Sequence, residues 1–168
     1  IITYSSISTP ELIYTAYACV LLGAIFKPID IRFNSEELLA QFKQTPSKMF
    51  FGAQPFVDRI LPIYKDIGVD KIVLLSFEES LPKIVKIASK MQKMKTKTGT
   101  VKINNDNIWT DWAHFFLKNY KTNPIIYKQT TSANDVIHLT ATTGTTGAPK
   151  QLLHSSNNWN AQLYNASY

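Results

Sequence analysis

Asp135-Val136-Ile137-His138-Leu139-Thr140 runs through Ala141 into Thr142-Thr143-Gly144-Thr145-Thr146-Gly147-Ala148-Pro149-Lys150, and Gln151-Leu152-Leu153-His154 follows. The flanks are apolar runs of strand length, and the middle is glycine and hydroxyl ending on one lysine, so the segment reads as strand, loop, strand. Such a loop suits a polyphosphate. Glycines let the backbone turn through positive φ and approach an anion, hydroxyls and free amides donate hydrogen bonds, and Lys150 supplies a compensating charge. The competing nucleotide-binding arrangement, the Walker loop, needs Gly-x-x-x-x-Gly-Lys-[Ser/Thr], with the lysine and a hydroxyl opening a helix directly after the second glycine. Here Ala148-Pro149 intervene and Gln151 follows the lysine, so no helix is expected to start at Gly147 or Lys150.

Upstream of this segment, the first half of the chain alternates strand and helix. Ile1 to Ser6 reads as a strand, and Thr9-Pro10-Glu11 as a helix opening with Ser8 or Thr9 as cap, the helix running to about Leu22. Ile25 to Ile29 is a short strand. Ser35 to Phe42 is a helix capped by Asn34 or Ser35, Lys48 to Phe51 a strand closed by Gly52, Pro55 to Ile67 a helix, and Lys71 to Ser76 an apolar strand. This βαβα order predicts an α/β fold with a parallel sheet covered by helices. No internal repeat or low-complexity tract interrupts it.

Lys83, Lys86, Lys90, Lys93, Lys95, Lys97 and Lys102 lie between Leu81 and Lys102 and more than account for the net charge of +6. Ile84, Ile87, Ala88 and Met91 form an apolar stripe at helical spacing among them, which predicts a basic amphipathic helix with a solvated face. Contact with a membrane surface through this region stays open. Nucleic-acid binding is not expected, because the run lacks arginine and interleaved aromatics. Thr96 to Asn107 reads as a polar loop. Ile108 to Tyr120 reads as a helix docked by Trp109, Trp112, Phe115, Phe116 and Tyr120, with Asp111 and Lys118 outward, an aromatic core face rather than a ligand cage. Asn123-Pro124 marks a turn, and Lys128 to Asn134 a polar stretch before the final strands.

At 168 residues and 45% hydrophobic, the chain can bury a substantial core. The lone Cys19 has no internal partner and sits in an apolar helix, where it reads as a small buried hydrophobe in a reducing compartment. The apolar run from Leu12 to Phe26 is too short for a membrane span and contains Thr15. His114 and His138 read as structural residues, and His154, just beyond Lys150, as the better placed imidazole. The chain opens on Ile1-Ile2-Thr3-Tyr4 with no initiator methionine, basic leader or cleavage site, and Trp159 to Tyr164 reads as an amphipathic helix under way near its end. The expectation is an intracellular, cytoplasmic or organellar-lumen protein, not secreted, from which this chain is a part.

Leu139 through Lys150 resembles the signature of the AMP-forming adenylate-forming enzymes, which include acyl-CoA synthetases, firefly luciferase and the adenylation domains of peptide synthetases. That signature is an apolar residue, two variable positions, then [Ser/Thr/Gly]-[Ser/Thr/Ala/Gly]-Gly-[Ser/Thr]-Thr-Gly-x-Pro-Lys, and each fixed position is met. The one departure is Gln151, where the family usually has glycine. Leu22-Gly23-Ala24-Ile25-Phe26-Lys27-Pro28-Ile29-Asp30 is similar to the family's "A-G-A-x-x-x-P-I-D" segment, and Ser35-Glu36-Glu37-Leu38 to the "x-x-E-L" helix that follows it. Pro149-Lys150-x-Leu152-Leu153-His154-Ser155 looks like the "P-K-x-x-x-H-[Ser/Thr]" run of short-chain acyl-CoA synthetases.

The resemblance implies that residues 1–168 are a partial N-terminal AMP-binding domain, incomplete at both ends and lacking the C-terminal domain. It implies ATP, Mg2+ and, as co-substrate, coenzyme A, with a carboxylic acid as the group activated. Thr142, Thr143, Gly144, Thr145, Thr146, Gly147 and Lys150 would hold the phosphates, Lys150 would be catalytic, and Thr142 would lie near the metal. The motifs for adenine, ribose, the metal carboxylate and the C-terminal lysine are absent from the 168 residues, so the chain alone is expected to be inactive. A peptide-synthetase adenylation domain and a non-catalytic remnant acting as a binding module remain open alternatives, and a small kinase-like nucleotide-binding domain is the less favoured one.

Overall fold

The computed structural model of the chain describes residues 1–30, 32–53, 57–75, 107–120, 132–142 and 150–166. Expectations for the Lys83–Lys102 region, most of the Thr96–Asn107 loop and the Asn123-Pro124 turn fall outside those residues. Within them, strands β1 (Ile2–Ser5), β2 (Phe26–Pro28), β3 (Met49–Ala53), β4 (Lys71–Leu75), β5 (Trp109–Asp111), β6 (Val136–Ala141) and β7 (Gln151–Ser155) form one sheet. Helices α1 (Pro10–Leu21), α2 (Ser35–Gln44), α3 (Val57–Ile60), α4 (Trp112–Tyr120) and α5 (Ser156–Ala166) connect or follow them.

The strand order is β5-β4-β3-β1-β2-β6-β7, parallel throughout except for the last, antiparallel pair. From β1 the chain crosses to β2 on one side, then back over β1 to β3 and β4 on the other. Right-handed crossovers running in opposite directions put their helices on opposite faces of a sheet. The two cores record this. Leu38 and Phe42 of α2 pack with Val57 and Ile60 of α3 against Phe50, Ile72 and Leu74, while Cys19 of α1 and, at its margin, Trp112 and Phe115 of α4 pack against Tyr4, Phe26, Phe51, Val73 and Leu75. Neighbouring strand residues therefore belong to different cores, which is why β3 and β4 read as continuous apolar runs.

Local signals explain the helix ends. Asn34 caps α2 in a reciprocal box: its side chain accepts from Glu37 N–H at 3.0 Å, and Glu37 accepts from Asn34 N–H at 2.8 Å. Helix α1 stops in a Schellman turn at Gly23, whose φ is 64°, with Ala24 N–H on Cys19 O at 2.8 Å and Gly23 N–H on Val20 O at 3.2 Å. Cys19 is buried, and desolvation pushes its thiol up to about 11, so it is an inert core group. At the end of β2, Asp30 is engaged by Arg32 through its backbone N–H at 2.8 Å and its guanidinium, which hold the carboxyl down at about 2.

Three expectations change. Trp109 does not begin a helix; Trp109–Asp111 is a strand beside β4, with Ile72 opposite Trp109, and the helix starts at Trp112 with Asp111 accepting from His114 N–H at 2.7 Å. Trp109 thus joins the α2/α3 core, while Trp112 and Phe115 pack at the margin of the other. Of the helix expected over Pro55 to Ile67, the described residues are helical at Val57–Ile60 and then continue as turns and a bend to Ile67. Pro62 has no N–H to give and disfavours helical backbone at Leu61. Gly52 lies inside β3 rather than closing it, because the Phe50 ring folds along the strand over it: a Cβ at Gly52 would stand 2.8 Å from Phe50 Cε1.

Lys27 is buried without any local signal of it. It is 1% exposed on the face of β2 under α2, and its ammonium donates to Gln41 O at 2.7 Å and Thr45 O at 3.3 Å. The cation thereby meets the carbonyl end of the α2 dipole. Burial pulls its pKa down to about 8.

Because Phe50 is 1% exposed and packs edge-on against Phe42 with centroids 5.4 Å apart, it has nowhere to swing. Gly52→Ala is expected to destabilise the protein by about 1 to 3 kcal/mol through overpacking. Urea unfolding checks this: the midpoint falls with the slope unchanged, and an unmoved midpoint would mean that the ring yields freely.

Candidate functional site

All six parallel strands end on the same edge of the sheet, and the chain leaves that edge from β6 into residues 142–150. In open α/β sheets ligands bind beyond the carboxyl ends of the strands, near the point where the connections reverse. Here the reversal is at β1, whose neighbours are β2 and β3. The returning strand is β7, antiparallel to β6, with Leu139 opposite Leu153, Thr140 opposite Leu152 and Ala141 opposite Gln151. Thr142 N–H donates to Lys150 O at 2.8 Å, and the Thr142 hydroxyl lies 3.3 Å from the same carbonyl. Residues 142–150 therefore lie between two strands, and their first and last members, Thr142 and Lys150, meet where β6 ends and β7 begins.

The structure brings Thr142 and Lys150 together, with Lys150 exposed. Thr143, Gly144, Thr145, Thr146 and Gly147 lie outside the described residues. Among the described residues no cluster of three or more His, Cys, Asp or Glu is arranged to hold a metal. Thr142 offers one hydroxyl. Mg2+ usually keeps several waters and is bound through one or two carboxylates plus substrate phosphates, so Thr142 could add only a hydroxyl to a magnesium ion carried by a nucleotide.

Gln151, the departure from the signature, is held by a distant element. Its Oε1 accepts from the Thr45 hydroxyl, and its Nε2 lies 3.2 Å from Gln44 Oε1, both groups at the carboxyl end of α2. The strand after the loop is thus tied to the first half of the chain, a contact without any local signal.

Histidine placement separates the three candidates. His114 is exposed on α4. His154 Nε2 is 3.0 Å from Thr140 Oγ1 across the β6–β7 ladder, so it braces the hairpin behind the loop. His138, paired with it in register, stacks on Phe26 at 5.8 Å and meets Trp159 edge-on at 5.0 Å. Among the described residues its Nδ1 is buried without a hydrogen-bond partner. Desolvation, then the nearby His154, lower its pKa to about 4. A ring neutral throughout the physiological range is a packing group between β2 and α5, as expected.

A model described as AMP-binding enzyme matches residues 5–168. The fold is also similar to that of several solved structures. One is the anthranilate CoA ligase AuaEII in complex with anthranoyl-AMP, at TM-score 0.69 and 17% identity, covering 97% of this chain and 26% of that one. Another is the A-PCP didomain of carboxylic acid reductase from Segniliparus rugosus in complex with AMP, at 0.68 and 16%, covering 98% and 22%. A third is a red-emitting luciferase from Phrixothrix hirtus, at 0.68 and 13%, covering 99% and 28%. The chain therefore spans between a fifth and a third of the length of these structures, and at such identities the likeness is one of fold. No helix among the described residues is long and apolar enough to cross a membrane.

The His138 environment sets a pH response. Its folded pKa of about 4 lies below the ordinary 6.5, so between those values the unfolded chain binds the extra proton. The resulting stability is full above the unfolded value and is lost as pH falls toward the folded one. Urea midpoints measured across this range are expected to fall more steeply for the wild type than for His138→Phe; equal acid slopes would show that His138 is not the group responsible.

Proposed function

Because the chain belongs to the AMP-binding enzyme family, we propose that it carries the phosphate-gripping part of an ATP-dependent, AMP-forming carboxylate ligase of the acyl-CoA synthetase kind. In this reading residues 1–168 are part of a large N-terminal AMP-binding domain within a longer protein. A carboxylate oxygen of the acid attacks the α-phosphorus of ATP, the bond from that phosphorus to the β-phosphate bridging oxygen breaks, and pyrophosphate leaves. The thiol of coenzyme A then attacks the acyl carbonyl, giving the thioester and releasing AMP.

The chain's own contribution is to the leaving group. Lys150 balances the charge that grows on pyrophosphate, and Thr142, Thr143, Gly144, Thr145, Thr146 and Gly147 give hydroxyl and amide donors to the β- and γ-phosphates. Phosphoryl transfer asks a protein mainly for positioning and charge stabilisation, which such a loop can supply without covalent chemistry. Magnesium would supply further neutralisation of the phosphates, with the Thr142 hydroxyl among its ligands.

The observation that carries this reading is the meeting of Thr142 and Lys150 at the carboxyl edge of a parallel sheet. The acyl-CoA synthetase choice rests on His154 four positions beyond Lys150. The Pro28-Ile29-Asp30 run supports a second reading, a carrier-protein adenylation domain, which would hand the acyl group to a protein-bound thiol instead.

Lys150→Ala removes a full charge and leaves the backbone donors in place. Loss of one charge-assisted contact is worth about 1.5 to 3 kcal/mol, so ATP–pyrophosphate exchange by the intact protein is expected to fall roughly ten- to a hundredfold. Unchanged exchange at both saturating and limiting ATP would remove Lys150 from the mechanism.

A further inference from the structure

The reach of a lysine is set first by where its backbone stands. Lys150 directly precedes β7, which among the described residues is an edge strand with one sheet neighbour, β6. One ladder leaves such a strand free to pivot about its partner, yet Gln151 is fixed from the other direction. Its amide is occupied at both ends, accepting from the Thr45 hydroxyl and facing Gln44 Oε1 from Nε2 at 3.2 Å, so one orientation satisfies both contacts.

The helix end that holds Gln151 is itself anchored. Lys27 donates to Gln41 O at 2.7 Å and to Thr45 O at 3.3 Å, tying the backbone of Thr45 to β2. Strand β2 pairs with β6 at Phe26 and His138, and β6 pairs with β7. The contacts close a ring from Lys27 through Thr45, Gln151, β7 and β6 back to β2. Lys27 is almost wholly buried and meets only carbonyls in these contacts, so its donors cannot be exchanged for water without opening that ring.

We propose that this ring is a positioning device: Gln44 and Thr45, braced by Lys27, hold Gln151 and so set where Lys150 stands relative to Thr142 and to the phosphates between them. The inference rests on the proposed role of Lys150. It assigns Gln151 and Thr45 to the adenylation step as positioning residues, since neither needs to touch the nucleotide.

A double-mutant cycle in ATP–pyrophosphate exchange by the intact protein tests it. Gln151→Ala and Thr45→Val each remove neutral hydrogen bonding from the clamp and are expected to slow exchange roughly three- to tenfold. Thr45→Ser keeps the hydroxyl and is expected to stand closer to wild type than Thr45→Val. In a Lys150→Ala background the Gln151→Ala change is expected to have less than about a twofold effect, because the group being positioned has gone. A purely structural role would give the same factor in both backgrounds, and that additivity overturns the inference. So does unchanged exchange by Gln151→Ala when Lys150→Ala alone is slow. An unaffected Lys150→Ala would instead remove the proposed role of Lys150, and this inference with it.

Discussion

A parallel strand must reach its neighbour by a long crossover and must then be covered on both faces. The rest of the structure follows from that constraint. Because β1 sends one connection to β2 and the chain returns past it to β3, α1 and α4 lie over one face while α2 and α3 lie over the other. Strands β3 and β4 pay out their side chains alternately to the two cores, Phe50 and Ile72 to one, Phe51 and Val73 to the other. The arrangement also aligns the carboxyl ends of the parallel strands, so the 142–150 loop emerges on the edge where the crossovers reverse.

Much of this was legible from local pattern. The alternation from Ile1 to Leu75, the Asn34 cap and the strands flanking the loop depend on residues within a few positions of each other, where propensity and capping act. The misreadings have a common cause in competition between local and distant demands. Trp109 lies at helical spacing from Trp112 and Phe116, but pairing with Ile72 on β4 draws it into a strand. Pro62 was a local signal, and it overrode the apolar spacing that suggested a longer helix through Ile67. Gly52 looked like punctuation, whereas its role is to leave room for the Phe50 ring.

The site divides the same way. Strand, loop and lysine were readable because glycines, hydroxyls and charge announce their chemistry in the sequence itself. Lys27 and the Gln151 clamp were not, since 106 residues separate Thr45 from Gln151 and neither residue type carries a signature. A lysine between Phe26 and Pro28 reads as polar and exposed; the helix end above it makes the burial tolerable, because carbonyl dipoles take the place of hydration.

The β6–β7 hairpin also bears on how the molecule assembles. Strands β1 to β4 pair with one another across one or two strands in chain order, whereas β6 joins the sheet at a single register pair with β2, Phe26 opposite His138. Closing the longer intervening chain costs more entropy than the nearer pairings, which favours docking of the hairpin onto a sheet already formed. It is correspondingly the unit that detaches with least work, by a sub-global opening that leaves β3 and β4 protected. Amides of β6 and β7 are expected to exchange with solvent ahead of those in the central strands.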